Sequence, residues 1–350
     1  MNGVTKMVLL NEEKKSKSFV KNIFSVQNIY ENNQKSKVFT ILGLKIKKQI
    51  PTMIGNLYQK LYAGNATYND EKELLKELYK KHTGETLNID NPQTFREKIQ
   101  WLKLNWRDPK LTLCADKYKV REYIKDLIGE KYLTPLIGVY DKVEDIDFNS
   151  LPDKFVIKVN WGSGQNIIVT DKSKLDIQSV KDKLKKWINP KSNHYFIGLE
   201  WCYKNVEPKI IIEEYLESLS KSALDYKFMC FNSKPHYCWV SNKYLDTQER
   251  SFYDMQWNMQ DIELVEAHKI KATQPIAKPD NLDEMIEIVN KLCQGFVHVR
   301  VDLYKLDDGT IKFGELTFMT SSGYSPWAPD GVDKMLGDLI DIEQIKKEGK

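Results

Sequence analysis

Val299-Arg300-Val301-Asp302-Leu303-Tyr304 and, further on, Phe313-Gly314-Glu315-Leu316-Thr317 are the stretches that decide the fold of this chain. Each reads as a strand, with β-branched and aromatic residues on either side of the charges. Asp307-Asp308-Gly309 between them is a hairpin turn signal. Such a turn lays the strands antiparallel and brings Asp302 and Glu315 close together, with Arg300 nearby on the same face. Two carboxylates side by side repel unless a hard cation sits between them, and Mg²⁺ is usually held by one or two carboxylates plus substrate phosphates. An arginine on that face would meet phosphate oxygens in a fork geometry. A surface hairpin with solvated charges shows the same alternation, so the rest of the chain has to decide.

At 350 residues there is room for two or three domains and ample chain for a core. A hydrophobic content of 41% and a charged content of 29% describe an ordinary soluble globular protein. The net charge of +4 conceals an asymmetry: residues 1–50 carry ten lysines against three glutamates, so the remainder is slightly acidic. A nucleic-acid binder would spread basic charge over its folded body, and this chain does not. Cys114, Cys202, Cys230, Cys238 and Cys293 form no CxxC pair and are odd in number. That fits a reducing compartment and argues against a disulfide framework and a zinc knuckle. No apolar run approaches the roughly 18 residues of a membrane span, and Met7-Val8-Leu9-Leu10 is too short for a signal-peptide core. A cytoplasmic location is expected, with the inner membrane face as a setting for the basic leader. Lysines outnumber arginines 48 to 5, so each arginine is an informative choice, and Arg300 is one of them.

The lysine-rich leader spans residues 1–50, and its second half, 36–47, could be two short strands turning near Gly43. A basic segment with apolar residues can bind anionic lipid surfaces or acidic glycans; a solvated tail has the same composition. Asn69-Asp70 starts an amphipathic helix running through Tyr79, and Asn91-Pro92 opens another through Phe95, Ile99, Trp101 and Leu102. A third is predicted from Ala115 to Ile128, stopping at Gly129, before Thr134-Pro135 breaks the pattern. From Leu151 the texture turns to strands at 155–159, 166–169, 209–216, 225–231 and 236–241, with helices near 174–187 and 281–294. The class is α+β, with no internal repeat.

Lys158 ends a strand and is followed by Asn160-Trp161-Gly162-Ser163-Gly164-Gln165-Asn166 and then another strand. Glycines on either side of a serine let backbone N–H groups turn toward an anion. Ile167 stands where GxGxxG has its third glycine, and a strand follows instead of a helix, which argues against a dinucleotide fold. A Gly-Ser hairpin carrying a lysine suits a flap over a triphosphate, although a plain hairpin reads the same way. Lys117, in Ala115-Asp116-Lys117-Tyr118, begins a helix in this reading. Ile210-Ile211-Ile212-Glu213-Glu214-Tyr215-Leu216 is an apolar strand running into two carboxylates, an edge able to meet an adenine ring. Asp225 could accept from ribose hydroxyls, and Lys227 shares its face of a strand. Taken singly, each also reads as ordinary surface charge.

In this order the pieces resemble the ATP-grasp superfamily. Closer still, Thr94-Phe95-Arg96-Glu97-Lys98-Ile99-Gln100-Trp101-Leu102-Lys103, Ala115-Asp116-Lys117-Tyr118-Lys119-Val120-Arg121, Glu200-Trp201-Cys202-Tyr203, Asp225-Tyr226-Lys227-Phe228 and Phe313-Gly314-Glu315-Leu316-Thr317-Phe318 are similar to the teichuronopeptide-biosynthesis (TupA-like) ATP-grasp family, over roughly residues 85–340. The resemblance implies an α+β ATP-grasp fold, two α+β subdomains clamping ATP. A lid with a glycine flap would occupy 116–217 and a catalytic core 218–345, after the leader at 1–50 and a helical region at 51–115. It implies an ATP- and Mg²⁺-dependent ligation of an amino compound to a sugar-borne carboxylate, a uronic acid, in bacterial surface-polysaccharide pathways. Carried over by position, Lys117 and Lys158 would contact ATP phosphates, with Gly162, Ser163 and Gly164 closing over them. Glu213 and Leu216 would meet the adenine and Asp225 the ribose, with Glu214 and Lys227 also among the cofactor-binding residues. Asp302 and Glu315 would hold Mg²⁺, and Arg300, with Lys158, would act on the transferred phosphate. Thr317 stands where the superfamily commonly has asparagine, which makes it a poorer ligand for a second metal. Trp161 replaces a histidine expected in close relatives, so the acceptor pocket should differ.

Trp161, Trp201, Trp257 and Trp327 lie close in sequence to these elements. An indole suits a sugar ring; core packing is the blander account. His194, His236, His268 and His298 lack metal-ligand spacing and are assigned no chemistry, while Arg250 is a candidate substrate anchor. Rival readings are a non-catalytic nucleotide-binding subunit of a polysaccharide assembly, a glycosyltransferase, and a kinase that stops at phosphoryl transfer. The double-lysine, double-carboxylate pattern fits the glycosyltransferase badly.

Overall fold

The computed structural model describes residues 24–31, 34–41, 44–50, 53–216, 224–242, 248–266, 269–272 and 274–348. The opening of the basic leader, Gly43 and His268 lie outside them. The chain divides into two units, residues 1–77 and 78–350. In the first, β1 (Phe24–Glu31), β2 (Gln34–Ile41) and β3 (Leu44–Ile50) form an antiparallel sheet in sequence order. The helix Met53–Tyr62 follows, burying Gly55, Leu57 and Leu61. Thr67 opens the next helix, Tyr68–Thr83, through a capping box: its hydroxyl accepts from the Asp70 N–H at 3.2 Å, and the Asp70 carboxylate accepts from the Thr67 N–H at 3.0 Å.

Two antiparallel sheets organise the second unit. β4 (Leu136–Tyr140), β5 (Phe155–Val159), β6 (Asn166–Val169) and β7 (Ile210–Glu214) make the smaller, in the order β4-β7-β5-β6. Along β5, Phe155, Ile157 and Val159 alternate into a core completed by Ile210 and Ile212 of β7 and by Val180 and Leu184 of the helix Ile177–Trp187. That alternation leaves Lys158 on the opposite face. The larger sheet comprises β8 (Leu224–Phe231), β9 (Lys234–Asn242), β10 (Gln248–Asp254), β11 (Met259–Gln260), β13 (Lys269–Lys271), β14 (His298–Lys305) and β15 (Ile311–Thr317). Its order is β11-β10-β9-β8-β14-β15, with β13 pairing parallel to β10. The short strands β12 (Glu263–Leu264) and β16 (Trp327–Ala328) pair separately.

The amphipathic helix Leu282–Leu292 packs against β9 and β14 through Leu282, Met285, Ile288, Val289 and Leu292. The helix Phe95–Asn105 starts from a Thr94–Glu97 capping box, and its Phe95 meets Phe231, His298 and Trp327 edge-on at 5.2–6.4 Å. His298 is fully buried, 3.1 Å from the Cys230 carbonyl and 3.3 Å from the Thr320 hydroxyl; burial pulls its pKa down to about 3, so it packs as a neutral ring.

One expectation is corrected here. The helix predicted from Ala115 to Ile128 is two helices, Pro109–Ala115 and Val120–Ile128. Asp116 makes the break: its Oδ1 accepts from the N–H groups of Tyr118 at 2.8 Å and Lys119 at 3.2 Å. A short carboxylate competes for local donors in this way. Lys117 therefore sits in a turn, not at a helix start. All five cysteines are buried free thiols. Among the described residues no helix is long and apolar enough to cross a membrane.

Candidate active site

One face of the larger sheet lines a cleft of about 690 Å³ within the second unit. Cross-strand register orders its side chains. Asp302 on β14 pairs with Glu315 on β15 and with Lys227 on β8, and Lys227 pairs with Trp239 on β9. Alongside, Arg300 faces Thr317, and Asp225 pairs with Ser241, which pairs with Arg250 on β10. A bulge follows in the hairpin: Leu303 pairs with Phe313, leaving Gly314 with no residue opposite. A Cβ on Gly314 would lie 3.0 Å from the Asp302 carbonyl oxygen and from the Tyr304 ring, so a glycine suits the bulge that seats Glu315 opposite Asp302.

The charges on this face are tightly paired. Arg300 donates from Nε to Asp302 Oδ1 at 2.6 Å, and from Nη2 to Asp302 Oδ2 at 2.8 Å and Glu315 Oε1 at 2.9 Å. Lys227 bonds Asp302 and lies 2.9 Å from Asp225, while Lys117 lies 3.1 Å from Glu315 Oε2. The Thr317 hydroxyl donates to Glu315 Oε1 at 2.9 Å. Burial pushes the Glu315 carboxyl up, but Lys117, Arg300 and Lys227 outweigh it and hold the group well below the usual range. Burial likewise disfavours the Arg300 and Lys227 cations, and neighbouring carboxylates, Asp302 first, carry both above their ordinary values.

Lys158 comes from the smaller sheet. Its Nζ meets Glu213 Oε2 at 2.6 Å, and Arg121 meets Oε1 of the same carboxylate at 3.0 Å while donating to the Thr134 carbonyl at 2.7 Å. Glu213 is thus a charge partner between two cations. Lys158 pairs with Asn166 at the base of the β5–β6 hairpin, beyond which lie Gly162, Ser163 and Gly164. The two glycines serve different needs. Gly164 has φ +66°, whereas at Gly162 a Cβ would fall 2.7 Å from the side chains of Val159 and Gln165. Lys117 is tied to this wall by its N–H, which donates to the Asn160 carbonyl at 3.0 Å.

Lys117, Lys158, Gly162, Ser163, Gly164, Glu213, Asp225, Lys227, Arg300, Asp302, Glu315 and Thr317 all line this cleft. Glu214 and Leu216 do not: strand alternation turns Glu214 away from Glu213 into solvent, and Leu216 lies past the strand's end. Trp161 is buried and donates to the Trp187 carbonyl at 3.0 Å, Trp257 stacks on Tyr253, and Trp327 packs in the core, so these indoles are structural. Trp201 also lies outside the lining, where the Arg107 guanidinium sits over its ring. Trp239, which sequence reasoning passed over, does line the cleft, as do Arg250, His194 and Arg121. Three of the chain's five arginines (121, 250 and 300) meet here; Arg250 and Arg300 are singled out by the sequence reading and Arg121 is not.

Asp302, Glu315 and Thr317 offer only hard oxygen donors, and the Glu315 carboxyl is strongly held in its ionised form; this chemistry suits Mg²⁺. Among the described residues no group of three or more His, Cys, Asp and Glu side chains is gathered for a metal.

The family described as TupA-like ATPgrasp matches residues 97–341. Among solved structures, the chain is similar to N5-carboxyaminoimidazole synthetase from Staphylococcus aureus complexed with ADP, at 15% identity over 59% of this chain and 44% of that one, with a TM-score of 0.33. It thus spans less than half of that synthetase. It is also similar to a Chryseobacterium gregarium RiPP-associated ATP-grasp ligase in complex with ADP and a leader and core peptide, at 12% identity, 91% and 84% coverage and TM-score 0.33. A third is the macrocyclase MdnC bound with precursor peptide MdnA from Microcystis aeruginosa MRC, at 13% identity, 91% and 86% coverage and TM-score 0.33. No curated protein matches the chain.

Proposed function

The chain belongs to the TupA-like ATP-grasp family, and from that premise we propose that it is an ATP-dependent carboxylate–amine ligase. We assign it a sugar-borne carboxylate, a uronic acid, and an amino compound as substrates, in surface-polysaccharide assembly on the cytoplasmic side of the membrane. One observation carries the reading: Lys117, Lys158 and the glycine turn share a single cleft with the Arg300–Asp302–Glu315 cluster.

In the proposed reaction a carboxylate oxygen attacks the γ-phosphorus of ATP, the bond to the β–γ bridging oxygen breaks, and ADP leaves. The amine nitrogen then attacks the acyl carbon, the carbon–oxygen bond to phosphate breaks, and the nitrogen releases a proton to give the amide. Lys117 and Lys158 would exchange their carboxylate partners for phosphate oxygens, and Arg300 would face the transferred group. Asp302 and Glu315, with Thr317 beside them, would hold Mg²⁺, which when bound neutralises charge on the phosphate oxygens. The turn at Gly162–Gly164 would close over the phosphates and keep water from the acyl phosphate.

ADP release measured with Mg·ATP, a panel of uronic acids and a panel of amines, followed by mass analysis of the product, tests this. Hydroxylamine supplied in place of the amine should be captured as a hydroxamate, because only an activated carboxyl gives one. Absence of ADP release with every acid, together with no heat of association with Mg·ATP, would overturn the reading.

A further inference from the structure

On the β10 side of the cleft the sheet face carries a cation that the reaction above does not use. Arg250 is 8% exposed and lines the cleft. Its Nη2 donates to Glu266 Oε2 at 2.8 Å, but Nε and Nη1 are buried with no hydrogen-bond acceptor among the described residues. The indole N–H of Trp239, also in the lining, is buried and likewise has no acceptor among the described residues, and the Arg250 guanidinium lies 5.4 Å from that ring. Buried donors without acceptors are costly, and folded proteins keep few of them. Several such N–H groups gathered on one wall of a cleft call for a ligand that brings oxygen acceptors. The same indole carries the Arg300 guanidinium at 5.3 Å, so this subsite adjoins the proposed phosphoryl-transfer centre.

We propose that Arg250 and Trp239 hold the non-reacting carboxylate of the amine donor, which makes the donor an amino acid; this rests on the ligase reading. The surrounding charge selects a zwitterion over a simple anion. Glu266 stands against Arg250, and its other oxygen accepts from the Ser321 hydroxyl at 2.9 Å. A lone anion here would face the Glu266 charge, whereas an ammonium group beside the carboxylate complements it. Arginine matches a planar carboxylate better than lysine does. Anchoring the carboxylate at Arg250 leaves the donor's nitrogen, once its ammonium form has released a proton to solvent, as the group that approaches the acyl carbon beside Arg300.

The test compares amino acids with the same amines lacking the carboxylate, or carrying it as an amide, in the wild-type protein and in Arg250→Gln and Arg250→Lys. Removing the carboxylate should lower wild-type kcat/KM about 10- to 100-fold, the effect of losing a charged hydrogen bond. Arg250→Gln should raise the amino-acid KM by a similar factor and erase the preference, with Arg250→Lys between. The change should fall on the KM for the amine donor and not on that for ATP. Wild-type protein that uses decarboxylated amines as well as amino acids overturns the proposal, and that arm needs no variant to fold. A preference that tracks a second acidic group on the sugar, and not the amine, overturns the assignment to the donor. Failure of the wild type to form a hydroxamate or release ADP with any acid instead removes the ligase reading on which the proposal rests.

Discussion

Replacing Glu315 with glutamine separates a structural carboxylate from a metal-holding one. Glu315 Oε1 accepts from Arg300 and Thr317 at 2.9 Å each, and Oε2 lies 3.1 Å from Lys117. Glutamine keeps one oxygen and turns an NH₂ group toward either Arg300 or Lys117, so one charged contact is lost and a donor faces a cation. A hydrogen bond to a charged group is worth about 1.5–3 kcal/mol. The Glu315 side chain is 32% exposed, so solvent screening brings the expected stability loss to about 1–2 kcal/mol, a few degrees in Tm. The catalytic loss should be larger, about 10²–10³ in kcat, the usual result of removing one preorganised electrostatic group. The carboxyl is held below its ordinary range, so its contribution to stability is present at neutral pH and disappears as the solution is acidified; the variant should lack that part of the acid-side decline. ADP release at saturating substrate, alongside thermal unfolding from pH 7 down to pH 3, reads both effects. Wild-type turnover in a folded Glu315→Gln protein would refute the assignment. So would a rate loss that merely follows the fraction unfolded.

Gly314→Ala should cost about 1–3 kcal/mol through crowding of Asp302 and Tyr304 at the bulge, and an unchanged Tm would show that the bulge yields freely. Glu214→Ala should leave ADP affinity within about twofold, because its side chain points away from the cleft, whereas Glu213→Gln leaves Lys158 and Arg121 with half their partner and should lower stability by about 1–3 kcal/mol; calorimetric titration and denaturant unfolding distinguish the two. Lys103 is fully buried, and burial pulls its pKa down to about 8. Between that value and the unfolded one the unfolded chain binds more protons, so stability should rise with pH across the window by roughly 3 kcal/mol. The rise should vanish in Lys103→Met, and parallel stability curves for the two proteins would exclude it.

The α+β ATP-grasp class was legible because its most telling part is local. Alternation on either side of Asp307-Asp308-Gly309 marks the antiparallel hairpin, but the observed pairing of Asp302 with Glu315 depends on the bulge, since the Leu303–Phe313 register continued unbroken would set Asp302 against Gly314. The bulge at Gly314 was not legible, since an extra residue in one strand leaves the composition of both unchanged. Glu214 is a different kind of miss. Adjacent strand residues point to opposite faces, so Glu213 and Glu214 could never have lined the same cleft, and the rule was available. Arg121 was out of reach for a third reason: its partner Glu213 lies 92 positions away, and only the fold brings the two together. Lys117 was found although its setting was misread, because a lysine reaches the same cleft from a turn as from a helix.

The pairing pattern also bears on how two carboxylates can stand side by side on one face of the sheet. Lys117, Lys227 and Arg300 face Asp225, Asp302 and Glu315, so the buried cluster is balanced by its own side chains. Without those cations the carboxylates would repel or take up protons, and the strands that carry them would be forced apart. Each cation is also a phosphate ligand by chemistry. On the proposed reading, Mg·ATP exchanges partners within the cluster: the carboxylates gain a divalent ion, and the displaced cations gain phosphate oxygens. On that reading each half alone carries a cost that the other offsets. A bare metal would have to displace ammonium and guanidinium groups with nothing to receive them, and a bare nucleotide would compete with carboxylates for the same cations. Metal and nucleotide should therefore enter as one unit, and the same pairs that hold the folded sheet together define the charge pattern that unit must match.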